Sequence, residues 1–146
     1  MSGGIWNGEG PVLADTSAWI VARRIPAARE LFLAAIERAD VAWCWPVRYE
    51  LMVDARGSDG IAALDRTMER LREVAVDRAV QRGVLSAMRE LASTGSHRAH
   101  RLPLADLTVA VAAQQSGLAV LHHDRHFDRL TDLLGIHANW IAEPAD

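Results

Sequence analysis

The sequence predicts an α/β fold, a single three-layer α/β/α domain with a mostly parallel central sheet. Short apolar runs with strand propensity lie at 12–14, 41–45 and 118–121. Between them lie segments whose apolar residues recur at the three- and four-residue spacing of amphipathic helices. This alternation is typical of βαβ units, whose strands are parallel. A length of 146 residues suits one domain with one continuous core.

The first strand and its helix are predicted from the run Val12 to Ser17. An apolar segment ends on Asp15, and the hydroxyl residues that follow favour a helix from Ser17 to Arg24. Pro26 suits the first position of a second helix. Residues 1–10 contain four glycines and one tryptophan. We therefore expect a flexible tail at 1–10, a folded domain at 11–142 and a short tail at 143–146.

The middle of the chain is predicted from one further strand and a series of amphipathic segments. A buried strand at 41–45 places Trp43 and Trp45 in the core. Pro46 opens a helix that runs to about Ala55. The remaining predictions are a turn at 57–60, helices at 61–71 and from Asp77 to Leu91, a polar loop at 93–101, a very apolar helix at 104–116, a buried strand at 118–121, a helix at 126–134 and an edge strand at 136–141.

Composition excludes several classes of protein. Half of the residues are hydrophobic and the mean hydropathy is near zero, as in ordinary globular proteins. No apolar run approaches the roughly 20 residues that span a bilayer, and the first residues lack the basic-then-apolar order of a signal peptide. The single cysteine, Cys44, excludes a disulfide framework. We therefore expect a cytoplasmic protein without membrane contact.

All sixteen positively charged residues are arginine. The absence of lysine excludes a P-loop, a Schiff base and a phospho-receiver site with a lysine partner. Arginine binds phosphate oxygens in a bidentate way, although a GC-rich genome also favours it over lysine. Because the net charge is −3, any nucleic acid must meet a local arginine patch rather than an overall basic surface.

Four carboxylates occupy equivalent places along the chain. Asp15 and Asp124 each follow a predicted strand, and Glu50 and Asp106 lie in the first turns of helices opened by prolines. In an open parallel sheet these places share one edge, so we expect the four acids to meet in one cleft. Crowded carboxylates raise one another's pKa, and a hard divalent cation such as Mg²⁺ or Mn²⁺ removes that cost. The alternative is that they are helix caps and solvated surface acids.

These segments, taken together, resemble the PIN domain, and within it the VapC-type toxins of bacterial toxin–antitoxin pairs. The resemblance covers most of the chain, from Val12 to about Ile141. Its four parts occur in the family's order: VLADTSA at 12–18, PVRYEL at 46–51, LADLTVA at 104–110 and LHHDRHFD at 121–128.

The resemblance implies an endoribonuclease that depends on Mg²⁺ or Mn²⁺, in which acids hold one or two ions and an activated water attacks the phosphodiester. It places the acidic site on Asp15, Glu50, Asp106 and Asp124, with Asp15 and Asp106 as principal ligands. Ser17 or Thr16 would hold an acid in place. The implied partners are RNA, a VapB-type antitoxin and a second copy of the chain. The arginines expected to contact RNA are Arg48, Arg98, Arg101 and Arg125.

Two positions depart from the family pattern. His122 stands where the family often has Thr or Ser, and His126 stands where it often has an acid. These departures leave the surroundings of Asp124 and the number of metal ions open, and Asp128 is a lower-ranked substitute ligand. Trp6 and Trp140, near the termini, are expected to be available to contact a partner.

Four other functions predicted from the same residues have less support in the sequence. Zinc would require the pairs His97–His100 or His122–His126, but neither has cysteine partners and a strand–helix break separates the second pair. A serine hydrolase would need a Gly-x-Ser-x-Gly turn, which the sequence lacks. A small phosphatase would need an acid where Ser17 stands. The alternative from another class is a non-catalytic PIN-like module, which the presence of all four acids disfavours.

Overall fold

A four-stranded parallel sheet and seven helices make up the part of the protein that the structure, a computed structural model, describes: residues 3–94 and 101–144. The predicted α/β class with a parallel sheet is confirmed. The strands are β1 (Val12–Ala14), β2 (Val41–Ala42), β3 (Ala119–His122) and β4 (Ala138–Trp140). The helices are α1 (Thr16–Ala22), α2 (Pro26–Glu37), α3 (Trp45–Asp54), α4 (Gly57–Glu69), α5 (Arg78–Ala92), α6 (Leu104–Gln115) and α7 (Arg125–Leu134).

The strand order β2-β1-β3-β4 places a topological switch point between β1 and β3. The chain leaves β1 toward β2 on one side and returns to β3 on the other. Crevices at the carboxyl ends of strands open at such points. The backbone N–H of Asp15 donates to Leu121 O across this point at 2.9 Å, so the ends of β1 and β3 are fixed side by side.

Helix α6 is the buried helix that packs against both central strands. Its residues 106–113 are all buried, which explains why its sequence is apolar on every side. Helix α5 packs closely on α6 at Gly83, where a Cβ atom would lie 2.6 Å from Val111 Cγ1. The contacts of α6 with β1 and β3 place this helix, which carries Asp106 in its first turn, beside the two central strands.

Two predictions in the middle of the chain are wrong. The strand predicted at 41–45 ends at Ala42, and Trp45 begins α3 and is 55% exposed, whereas Trp43 is buried as predicted. Pro46 in the first turn favours helix there over strand. The turn predicted at 57–60 is instead the start of α4, which Gly57 enters with a φ of 65°.

The first residues that the structure describes pair with β4. Trp6 is buried in the core, and Ile5 forms a parallel bridge with Trp140 beside β4. The Trp6 N–H donates to Trp140 O at 2.8 Å. Trp140 is also buried, and its indole Nε1 donates to Asp128 Oδ1 at 3.0 Å. The expectation that Trp6 and Trp140 are available to a partner is therefore wrong.

Across the described ranges, none of the helices combines the length and the apolar character that crossing a membrane requires.

Candidate active site

Asp15 lies at the carboxyl end of β1, buried at 4% exposure, and is also the N-cap of α1. Its Oδ2 accepts hydrogen bonds from Ser17 N at 3.1 Å and from Ser17 Oγ at 2.6 Å. The same hydroxyl accepts from His123 N at 2.9 Å. Ser17 therefore connects the first acid to the loop that follows β3. Asp15 is therefore a helix cap, as one interpretation of the sequence predicts, and its role in a functional site stays a prediction.

Asp106, Asp124 and His126 form a compact group beside the switch point. Each offers one donor atom, and these atoms all lie within 4.8 Å of one another. His126 Nδ1 lies 2.6 Å from Asp106 Oδ2 and 3.5 Å from Asp124 Oδ1. Asp124 caps α7, where its Oδ1 accepts from His126 N at 2.9 Å. The cap fixes the position of the imidazole relative to both acids.

Glu50 differs from the other three acids because it is exposed. It lies in the second turn of α3, which begins at Trp45. Its Oε1 accepts a hydrogen bond from Thr16 Oγ1 at 2.9 Å. This bond links α3 to the start of α1, directly after Asp15.

The four acids are close enough for their charges to raise one another's pKa. Burial raises the pKa of Asp15 to about 6, hydrogen bonds from Ser17 oppose the rise, and the charges of Asp106 and Glu50 add to it. Burial also raises the pKa of Asp106; the hydrogen bond from His126 opposes the rise, and the charges of Asp124 and Glu50 reinforce it. The carboxylates predicted from four separate segments thus repel one another at one place in the fold.

The donor set fits a divalent cation. Carboxylate oxygens are the ligands that hard divalent ions take in proteins, and imidazole nitrogen is the commonest additional ligand for transition ions. Asp106, Asp124 and His126 are close enough to share one ion. Asp15 is buried beside them and destabilised by its own charge, and a bound cation would remove that cost.

Other residues singled out in the sequence have different surroundings. His122 is fully buried against Phe127 and Trp140; burial lowers its pKa to about 4, and its Nδ1 accepts from Asp124 N at 3.2 Å. It therefore packs behind Asp124 rather than joining a metal site. Asp128 instead accepts the Trp140 indole N–H.

Three of the four arginines predicted to contact RNA lie among the described residues. Arg48 is paired with Asp65 at 2.7 Å and stacks over the Trp43 ring, so it serves the structure of α3 and α4. Arg101 and Arg125 are exposed, and Arg125 lines a groove beside Asp124 and His126. Arg98, like the pair His97 and His100, lies outside the described residues.

His126 is the site residue to which sequence reasoning assigned no role. The pattern of strand, acid and helix identified Asp124, but the side chain two residues later was treated as a departure from the family pattern. Its position in the first turn of α7 was the available signal. A residue there shares the cap geometry of Asp124 and points to the same edge of the sheet.

Replacing Ser17 with alanine is expected to weaken the site without removing an acid. The change removes the hydroxyl bond to Asp15 Oδ2 and leaves His123 N without its acceptor. Loss of an outer partner of a metal ligand typically reduces metal affinity or activity by roughly 10- to 100-fold. The measurement is RNA cleavage with a metal titration, and Ser17→Thr, which keeps the hydroxyl, is expected to restore most of the loss. Equal activity of Ser17→Ala and wild type would contradict the role.

Comparison with known proteins decides the family. The model of the PIN domain matches residues 12–133. The chain belongs to the PIN domain family. A PIN-domain relative, Ribonuclease VapC18 of Mycobacterium tuberculosis (strain ATCC 25618 / H37Rv), is 32% identical over 127 residues, which cover 87% of this chain and 92% of the relative. The resemblance to VapC-type PIN proteins is thereby confirmed.

Solved structures share the PIN fold of this chain. The DNA-bound VapBC structure from Salmonella typhimurium matches with a TM-score of 0.70 at 18% identity, covering 92% of this chain and all of that one (100%). A toxin–antitoxin complex from Klebsiella pneumoniae matches with a TM-score of 0.67 at 15% identity, covering 90% of this chain and 98% of that one. At these identities the likeness concerns the fold.

Proposed function

We propose that this PIN domain is a metal-dependent endoribonuclease that acts as the toxin of a type II toxin–antitoxin pair. The supporting observation is the meeting of Asp15, Asp106 and Asp124 at the switch point, with Glu50 at its rim, in a chain of the VapC type. The relatives named Ribonuclease VapC and the VapBC complexes of the same fold support the substrate class and the partner.

A cation held by Asp106 and Asp124, with Asp15 behind them, would act as a Lewis acid on the scissile phosphate and lower the pKa of the attacking water. Asp15 is held in one orientation by Ser17, so its charge is fixed toward the site. Glu50, the exposed acid, is assigned to positioning the water, because it is open to solvent and is oriented by Thr16. The exposed Arg101 and Arg125 are assigned to the RNA backbone.

Removing divalent ions is expected to abolish cleavage of a labelled single-stranded RNA by the full chain. EDTA-treated protein should be inactive, and Mg²⁺ or Mn²⁺ should restore activity, because at neutral pH the crowded acids need a counter-charge. Cleavage products are resolved on a sequencing gel, with a DNA of the same sequence as control. Full activity in EDTA, or no cleavage with either ion, would contradict the proposal, and the latter result would favour a non-catalytic binding module.

We place the proposed homodimer on the exposed apolar face formed by α3, α5 and the start of α6. Trp45, Tyr49, Leu85 and Leu104 are 54–72% exposed and border a groove of about 610 Å³ beside Glu50. Contiguous exposed apolar residues of this kind mark interaction surfaces. A second copy that covers this face would enclose the open side of the site.

The proposed antitoxin suits a different groove, of about 350 Å³, between α1, α2 and α4. Trp19 and Phe32 form its floor, and the buried Trp19 Nε1 has no hydrogen-bond acceptor among the described residues. Arg23 and Arg29 stand at its border. An apolar segment that carries a carbonyl group would fill this groove and accept from the indole N–H, whereas Arg23 is already paired with Asp54 and Arg29 donates to backbone carbonyls.

Placing a charge at Leu85 is expected to convert the dimer to a monomer. Leu85→Arg puts an unpaired charge into the proposed α3–α5 interface, which costs far more than a surface substitution. The matched control is Leu33→Arg on α2, since Leu33 is 52% exposed and Leu85 is 54% exposed. Light scattering after size-exclusion chromatography measures the mass. Leu33→Arg should stay dimeric and lose antitoxin binding; a dimeric Leu85→Arg would refute the interface.

A further inference from the structure

The geometry points to His126 as a nitrogen ligand of the active-site cation, which makes the site prefer a first-row transition ion such as Mn²⁺ over Mg²⁺. This inference rests on the proposed function, because it concerns the same site. It concerns a position where the family often has an acid and this chain has an imidazole.

The distances around His126 are those of ligands that share an ion. Its Nδ1 lies 2.6 Å from Asp106 Oδ2 and 3.5 Å from Asp124 Oδ1. Two adjacent ligands of an octahedral ion with bonds of about 2.1 Å are about 3 Å apart, so these two distances lie on either side of the expected value. The short contact between Nδ1 and Oδ2 is a hydrogen bond when Nδ1 carries the proton. A cation placed there would replace it without moving the backbone.

The backbone holds the imidazole where a ligand is needed. Asp124 caps α7, and its Oδ1 accepts the N–H of His126 itself. The His126 side chain is 39% exposed, compared with 12% for Asp106. The imidazole and the Asp124 side chain, which is 36% exposed, therefore both stand on the solvent side of Asp106, where an ion enters. His122, by contrast, is fully buried against aromatic rings and is not placed to compete for this role.

The change of ligand type determines the metal preference. Mg²⁺ binds carboxylates and water and keeps several of its waters, whereas imidazole is a ligand of the first-row transition ions, above all Fe²⁺, Ni²⁺, Cu²⁺ and Zn²⁺. Mn²⁺ stands at the weak end of that series and also accepts oxygen ligands, so it is the member of the series closest to Mg²⁺ and the direct comparison for it. An acid at position 126 would give an all-oxygen site and one more negative charge. His126 supplies nitrogen and no negative charge, so the electrostatic attraction that Mg²⁺ depends on is weaker. The mixed set of two carboxylates and one imidazole favours the transition ion.

The test measures metal binding by the full chain without RNA. Calorimetry gives the affinities for Mn²⁺ alone and for Mg²⁺ alone, and pulsed EPR of the Mn²⁺ complex detects coupling to an imidazole ¹⁴N. Wild type should show this coupling and prefer Mn²⁺. His126→Asp should lose the coupling, and its ratio of Mn²⁺ to Mg²⁺ affinity should fall roughly 10-fold or more. His126→Gln should lose the coupling and bind both ions more weakly.

The exposed His137, which lies between α7 and β4, provides the matched control, since His137→Gln should keep both the ¹⁴N coupling and the preference. Circular dichroism verifies that each variant is folded. Mn²⁺ binding by wild type without ¹⁴N coupling, or an unchanged affinity ratio in His126→Asp, would overturn the inference and leave the proposed function standing. If wild type binds neither ion, the metal-dependent function fails, and the inference fails with it.

Discussion

Asp106→Asn is expected to reduce RNA cleavage by more than the roughly 100-fold that loss of an outer partner costs at metal sites. Asp106 is the buried acid at the start of α6, and its Oδ2 belongs to the group shared with Asp124 and His126. Asparagine keeps the shape of the side chain and can still accept from His126, so the fold is retained. It removes the charge that binds the cation. The measurement is kcat/KM on a labelled RNA with saturating Mn²⁺ or Mg²⁺.

Asp59→Asn is the matched control for this experiment. Asp59 is also an acid in the first turn of a helix, α4, but it is exposed. Its replacement should leave cleavage unchanged within about 2-fold, because a surface acid contributes at most a small helix-dipole effect. If the two variants lose the same activity, the assignment of Asp106 to the site is wrong.

Asp15→Asn is expected to abolish cleavage while making the protein more stable at pH 8 in EDTA. Burial and neighbouring acids raise the pKa of Asp15 from 3.8 to about 6 in the folded chain. The folded state therefore holds this proton more tightly than the unfolded state does. Below pH 4 the group is neutral in both states and costs nothing. Between pH 4 and 6 the unfolded state ionises first, so the free energy of unfolding falls as pH rises, by about 3 kcal/mol in total.

The asparagine variant lacks this loss, so its free energy of unfolding at pH 8 should exceed that of wild type by about 1–3 kcal/mol. Urea denaturation from pH 4 to 8 in EDTA measures it. Burial lowers the pKa of His122 from 6.5 to about 4, so this residue destabilises the fold as pH falls through that window, opposite to the effect of Asp15. Because His122 is present in both proteins, its contribution cancels in the difference between variant and wild type, and that difference reports Asp15.

Metal provides the complementary measurement. Mn²⁺ or Mg²⁺ should stabilise wild type at pH 8 through binding to the folded state and should stabilise Asp15→Asn less, because one acid of the cluster is gone. If Asp15→Asn is less stable than wild type at pH 8 without metal, the buried charge of Asp15 does not destabilise the fold as argued. If metal stabilises the variant as much as it stabilises wild type, Asp15 does not belong to the cluster that binds the cation.

The acids of the site were predictable because strand ends and helix starts can be recognised locally. Asp15 and Asp124 follow apolar runs, and Asp106 interrupts an apolar helix, so chain order alone suggested a common edge. The exposure of Glu50 was not predictable, since it depends on where α3 begins. The role of His126 was not predictable either, because it depends on a distance to Asp106 across 20 residues of chain.

The fold followed from periodicity except where two local preferences compete. The run at 41–45 is apolar throughout, as a strand would be, but α3 begins at Trp45, the last residue of that run, with Pro46 in its first turn. The Gly57-Ser58-Asp59-Gly60 segment has turn composition, yet the contacts of α3 with α4 extend a helix through it. The burial of Trp6 depends on pairing with Trp140, at the other end of the chain, which no local pattern reveals.

The bridge between Ile5 and Trp140 has a practical consequence for handling this protein. Residues 4–6 pair with β4 and cover one border of the sheet, and the bridge between Trp43 and Glu73 lies beyond β2 at the other. Unpaired strand borders recruit other chains into aggregates. Deleting residues 1–7 would strip one border of its cover, so a shortened protein that lacks them is expected to aggregate more readily than one that keeps them.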